Sequence, residues 1–221
     1  ETQARVARRS LVDPLGFAWS ELAWNGRPWE QAVIYELHVG TFTRAGTFRA
    51  AIERLDHLAA LGVTAIELMP LADFPGARNW GYDGVLPYAP DASYGTPEDL
   101  KLLVQCAHAR GLMVFVDVVY NHFGPEGNYL HTYAPAFFNP QRHTPWGAAI
   151  NFDGPHSRTV RDFFIHNALY WLEEYCMDGF RLAAVHATID DTEPDFVTEL
   201  CAMVRSRVRP GRHVHIVLEN D

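Results

Sequence analysis

Polar side chains of a particular kind interrupt the apolar stretches of this chain. Asp117 ends one apolar run, with Asn121 and His122 just beyond it; Arg181 sits inside a second, and Glu219 closes a third. Strand alternation puts Gly179, Arg181 and Ala183 on one face, and His213, His215, Val217 and Glu219 together on another. If both faces point inward, an arginine and a pair of carboxylates converge at one end of a sheet. Those are the residue types of acid–base chemistry. The competing reading is an ion-pair network that only closes a core.

The elements that must position them repeat from residue 31 onward. Apolar, β-branched runs over residues 33–39, 63–69, 112–119, 179–185 and 213–219 predict strands. They are near-continuously apolar, as in a parallel sheet covered by helices. Helices are predicted between them. One carries Phe48, Ala51, Ile52, Leu55, Leu58 and Ala59. A second opens on the capping sequence Thr96-Pro97-Glu98-Asp99, a third begins near Thr159, and a fourth follows Pro194. This order implies right-handed β/α crossovers. A closed barrel needs eight strands, so the expected fold is a partial (β/α)8 barrel with about five of its eight units, the remainder lying outside this chain. A doubly wound open sheet also fits the count, but no Gly-rich dinucleotide loop follows the first strand, where Gly40-Thr41-Phe42-Thr43 stands. Residues 31–221 are read as the amino-terminal part of the barrel. Residues 1–30, without this pattern, are read as a leader or a seam to an upstream domain, with Trp19, Trp24 and Trp29 packing on the barrel wall. Two long loops, 70–95 and 120–158, follow strand carboxyl ends, where barrels keep their sites.

Composition narrows the function. The 221 residues carry 27 acidic and 18 basic side chains, a net charge of −9. That balance argues against nucleic acid or an anionic membrane as the main partner. No apolar run reaches the roughly 18 residues of a membrane helix, and the first residues lack the apolar centre of a signal peptide. Three cysteines (Cys106, Cys176, Cys201) without CxxC spacing fit a reducing cytoplasm.

The motifs then resemble a known family. Residues 117–122 (DVVYNH), 179–186 (GFRLAAVH) and 217–221 (VLEND) are similar to signature segments of the α-amylase family of retaining glycosidases. Residues 79–84 (NWGYDG) resemble the loop whose tyrosine stacks on the sugar. The longer phrases YELHVGTFT, NWGYDGVLPYAPDASYG, DVVYNHFGPEGNYL and INFDGP are most similar to the branch that releases trehalose from maltooligosyl trehalose. The resemblance implies a general acid/base at Glu219 and an orienting role for Arg181. It places Tyr82, Trp80, Asp117, Asn121, His122 and His186 around the substrate. It also implies an α-1,4-glucan as partner and no organic cofactor. Such an enzyme needs paired carboxyl groups about 5–5.5 Å apart, one protonated and one ionised. Arginine beside the nucleophile keeps it ionised, and a less polar setting raises the pKa of the acid.

This chain departs from the pattern at the nucleophile, where Ala183 stands in place of aspartate. Alanine has no lone pair to attack carbon, so the chain as written is expected to be inactive. Asp190 and Asp191 are expected to lie too far along to substitute. Arg181, missing its carboxylate, is expected to turn to Asp117, Glu219, water or an anion. A third catalytic carboxylate of the family falls outside the sequence.

The histidines His122, His131, His143, His156 and His166 match no metal spacing, and no metal is assigned; Asn121 and Asp153 are of the types calcium uses. Tyr129, Tyr133, Phe137, Phe138 and Trp146 read equally as a sugar platform or as loop packing. Two alternatives to the glycosidase stay open: a glycogen-branching-type glucan transferase, and a non-catalytic glucan-binding protein, which Ala183 encourages.

Overall fold

The structure, a computed structural model, describes residues 2–5, 9–11, 16–20 and 23–220. Asp221 and much of the amino-terminal segment read as a leader lie outside the described residues.

Each apolar run forms a strand: β1 (Ile34–Leu37), β2 (Ala65–Leu68), β3 (Met113–Val118), β4 (Gly179–Leu182) and β5 (His215–Leu218). All their pairings are parallel, and their order across the five-stranded sheet is their order in the chain. A doubly wound sheet reverses direction at a switch point. This one never does. It is the wall of a partial barrel, and among the described residues β1 and β5 form its edges, with Ile34, Tyr35 and Leu218 exposed along them.

The outward face carries Ile66, Leu68, Val114, Val116, Phe180 and Leu182, all buried in the main core. Helices α1 (Phe48–Ile52), α2 (Leu55–Ala60), α3 (Pro97–His108), α4 (Ser157–Glu174) and α5 (Phe196–Arg207) lie between the strands in sequence. The opening of α3 is the capping box its sequence predicts: Asp99 N–H donates to Thr96 Oγ1 at 3.2 Å and Thr96 N–H to Asp99 Oδ2 at 3.0 Å. Leu100, Leu103, Val104 and Ala107 then form one fully buried stripe.

Some boundaries differ from the sequence reading. The single helix expected over residues 48–59 is two, because Glu53 and Arg54 bond to the carbonyls of Ala50 and Ala51, three residues back, and this tighter turn interrupts the ladder. Strand β4 stops at Leu182 instead of reaching 185: Ala184 takes a left-handed conformation (φ 46°), and Val185–Ala187 coil into a 3₁₀ turn. The long loops contain structure of their own. Ala72–Asp73 pairs with Leu86–Pro90, and Phe138–Thr144 with Gly147–Ile150. Near the amino terminus Thr2–Arg5 and Arg9–Leu11 form an antiparallel hairpin, where the sequence reading found no element.

The tryptophans divide. Trp19 packs against the main core, as expected of the wall. Trp24 instead closes the amino-terminal mouth of the sheet, beneath a small inward cluster of Ala65, Met113 and Phe115. Its ring stacks on His108 with centroids 4.8 Å apart, and its indole N–H donates to Asp178 Oδ1 at 2.8 Å. Trp29 lies against the inward-facing His215. The reason is polar: fully buried Asp178, just before β4, also bonds His108 Nε2 at 2.8 Å and accepts from Val114 N–H at 2.9 Å, and the indole completes the set.

Asp178→Ala should destabilise the chain by about 3 kcal/mol or more, because it strips partners from several groups in one buried spot. Urea unfolding monitored by circular dichroism tests this, and a loss under about 1 kcal/mol would show that the floor is not held this way.

Candidate functional site

Parallel register assembles the site. Arg181 pairs directly with Asp117 on one side and Val217 on the other, so Glu219, two residues beyond Val217, continues on the same face. Glu67 of β2 and Asp117 of β3 point to that face as well, since Glu67 pairs with Phe115. Above the apolar cluster of the floor, the inward face therefore turns ionic.

Arg181 is the hub. Its Nη1 lies 2.5 Å from Asp117 Oδ2, its Nη2 3.2 Å from Glu219 Oε1, and its Nε 3.9 Å from Glu67 Oε1. The expectation that it turns to Asp117 or Glu219 is met by both at once. Asp117 Oδ2 also accepts from the Tyr82 hydroxyl at 2.9 Å, while its Oδ1 is buried and receives no donor among the described residues. Burial pushes the Asp117 carboxyl up to about 7 and nearby Glu67 adds to this; Arg181 and Tyr82 pull the other way without overcoming them. With Oδ2 occupied by two donors, a proton on this carboxyl sits on Oδ1. Burial first, then Arg181 in opposition and Glu36 in support, leave Glu67 raised too. Burial and the Asp117 charge hold the Tyr82 phenol far above its ordinary value, so it remains a donor.

The loop carrying Tyr82 is fixed by close backbone contacts. Asn79 Oδ1 accepts from Gly81 N–H at 2.7 Å, and Asn79 Nδ2 donates to Asp83 Oδ2 at 2.8 Å. Gly81 has φ 104°, and a Cβ there would lie 2.3 Å from the Pro70 carbonyl oxygen. At Gly124 a Cβ would fall 2.0 Å from the Asp83 carbonyl oxygen. Only glycine lets these segments meet. Trp80, in the same loop, stands outward and exposed.

Asn121 and His122 act on backbone. Asn121 Nδ2 donates to the carbonyls of Ala183 and Ala184 at 2.8 and 3.2 Å, tying the turn after β4 to β3. His122 sits between two acceptors, Nδ1 against Asn121 Oδ1 and Nε2 against the Tyr82 carbonyl; burial lowers its pKa, and the neutral ring donates to one of the two. Ala183 is buried and keeps a strand-like bond to the Val118 carbonyl. Glu219 Oε2 accepts from Ala184 N–H at 2.6 Å, so its carboxylate lies against the backbone next to residue 183.

Other predicted residues lie elsewhere. His186 sits exposed on the turn Val185–Ala187. Asp190 bonds Arg161 at 2.8 Å and Asp191 pairs with Arg142, so both are engaged away from Arg181. Asp153 faces Arg142 and Asp191 N–H, away from the partners of Asn121; the arginine supplies the positive charge beside it. Phe137 and Phe138 pack edge-on against Phe163 and Phe123.

Sequence reasoning missed Glu67 and Glu36, which share a register position at the entrance to the cluster. The signal was present: a lone acid inside an apolar strand, the same mark that singled out Arg181. His38 was also missed. Its Nε2 lies 2.7 Å from the Asn79 carbonyl, so the end of β1 supports the Tyr82 loop.

Comparison with known proteins adds the following. A family model described as "Alpha amylase, catalytic domain" matches residues 30–168. The chain is 51% identical over 211 residues to a malto-oligosyltrehalose trehalohydrolase of Deinococcus radiodurans, covering 96% of this chain and 34% of that protein. It is 45% identical over 219 residues to the protein of that name from Mycobacterium tuberculosis, covering 99% and 37%. A 1,4-alpha-glucan branching enzyme of Leifsonia xyli is 40% identical over 163 residues, covering 69% and 21%. Among solved structures, a Salmonella typhimurium protein classed as an alpha amylase superposes with TM-score 0.93 at 47% identity, covering 100% of this chain and 37% of that one. The chain thus spans about a third of the length of the curated relatives it matches.

Folding raises the pKa of Asp117, so the folded chain holds that proton more tightly than the unfolded chain, whose aspartates titrate near 4 (about 3.9). The stabilisation is therefore present at low pH and is lost as pH rises from about 4 to about 7. A ¹³C NMR titration should place the Asp117 carboxyl midpoint near 7, and the stability of the parent relative to Asp117→Asn should fall across that window. A midpoint near the ordinary aspartate value, or the opposite slope, would overturn the assignment.

Proposed function

Since the chain belongs to the α-amylase family, we propose that it carries part of the active site of a retaining α-glucan glycosidase whose parent activity releases trehalose from maltooligosyl trehalose. What most supports the reading is the joining of Asp117, Arg181 and Glu219 at the carboxyl ends of three adjacent strands, with Tyr82 bonded to the same carboxyl. The names of the most similar relatives support the substrate. In this reading residues 31–221 are the first units of a (β/α)8 barrel, and free thiols at Cys106, Cys176 and Cys201 suit a cytoplasmic location.

The roles follow from the chemistry of retention. Glu219 protonates the leaving glycosidic oxygen and later deprotonates the attacking water; a carboxylate at position 183 attacks the anomeric carbon, and the glycosyl–enzyme ester is hydrolysed in a second step. Arg181 orients that carboxylate and keeps it ionised. Asp117 and Tyr82 shape the site where the ring is cleaved, Trp80 and His122 flank the glucan, Asn121 holds the backbone of 183–184, and His186 faces the acceptor side.

With Ala183 the first step has no attacking group. Glu219 is engaged by Arg181 and by Ala184 N–H. The missing attacking group favours a second reading for the chain as written, glucan binding without turnover. A branching-type transferase shares this chemistry and is supported by the relative of that name.

In a protein extended to the length of the relatives, Ala183→Asp should release trehalose from maltooligosyl trehalose while the alanine form does not. Lengthened or branched glucans from the restored protein would favour the transferase, and no turnover of any α-glucan would sink the glycosidase reading.

A further inference from the structure

We propose that Trp146 is a second stacking platform for the α-glucan, beside the ring position at Tyr82 and mechanically coupled to it through His122. The inference deepens the glucan reading and rests on it. Whereas Phe137 and Phe138 fill the loop interior, Trp146 stands half-exposed with its indole stacked on the His122 ring, centroids 4.9 Å apart and planes within 16°.

An exposed tryptophan on a mobile loop would mean little; this one is splinted. The Trp146 backbone N–H donates to Thr144 Oγ1 at 3.2 Å, and that hydroxyl donates to the Gly147 carbonyl at 3.2 Å, which fixes the main chain that carries the indole. Gly147, at φ 133°, closes the hairpin turn. On the other side, the His122 ring is wedged between Asn121 Oδ1 and the carbonyl of Tyr82 itself, donating to one of them. The indole is thus held in a set orientation before any ligand arrives, which lowers the entropic cost of stacking a sugar on it.

The space beside it suits a neutral ligand. A groove of about 490 Å³ runs between His122, Asn128, His131, Phe138, Pro140 and Trp146, and its lining contains neither Lys nor Arg. Flat apolar surface for the C–H face of a pyranose, with the Asn128 amide and the His131 imidazole for its hydroxyls, is the chemistry of an uncharged saccharide rather than a phosphate or acidic ligand. His122 joins the two positions, its Nε2 against the Tyr82 carbonyl and its ring against the Trp146 indole. A glucan seated at Tyr82 and continuing past His122 meets Trp146 next, so the platform serves longer chains and leaves the shortest unaffected.

Calorimetry on the 221-residue chain, with folding confirmed by circular dichroism, compares maltose with maltohexaose. Trp146→Ala should weaken maltohexaose roughly three- to tenfold and leave maltose unchanged, while Trp146→Phe keeps most of the preference for length. In the parent chain, maltohexaose should shield Trp146 from oxidation by N-bromosuccinimide, read by peptide mass, and maltose should not. This readout needs no variant to fold. Unchanged maltohexaose affinity in Trp146→Ala, equal losses for both sugars, or unshielded Trp146 under bound maltohexaose would overturn this proposal alone. Binding of neither sugar by the folded parent would overturn it together with the glucan reading.

Discussion

One guanidinium shared among three carboxylates is the constraint around which this site is arranged. Arg181 cannot lose its charge, and it faces Asp117, Glu219 and Glu67 in a half-buried space. The surplus negative charge must be relieved. The structure relieves it unequally, by burying Asp117 until its carboxyl competes for a proton near neutrality and by giving Glu219 a backbone N–H as a further donor. Tyr82 is drawn into the same balance through its bond to Asp117, so the loop over the site is anchored by the charge cluster beneath it.

The sheet below separates this cluster from the rest of the core. Its inward face changes from Ala65, Met113 and Phe115 near the floor to ionic residues near the carboxyl ends, within the length of single strands. The floor has its own polar closure, where Trp24 and His108 converge on Asp178. Stability and chemistry thus sit at opposite ends of the same strands, the division expected of a barrel wall. That arrangement lets the loops after β1, β2, β3 and β4 vary in shape without disturbing the strand pairing beneath them.

Much of this was legible in the chain. The apolar runs located all five strands, and the Thr96–Asp99 sequence located the start of α3 with its cap, because both signals are local. The convergence of Asp117, Arg181 and Glu219 was legible from strand alternation alone. What escaped depends on geometry across the chain. Glu67 joins the cluster only because β2 sits beside β3 in a particular register. The early end of β4 comes from a left-handed turn at an alanine, for which sequence offers no marker. Trp24 looks like any other aromatic until Asp178 is seen to take its N–H and His108 to stack on its ring. The aromatic loop could be sorted into packing and exposed members only once Phe163 and Phe123 were seen to occupy its interior faces.

The bonds from Asn121 to the carbonyls of residues 183 and 184 do not involve the side chain at 183 at all. The backbone there is shaped by a neighbour and by Val118, and it is indifferent to whether a methyl or a carboxymethyl group projects from it. The main-chain geometry at position 183 is thus set by its neighbours and does not depend on the group that projects from it.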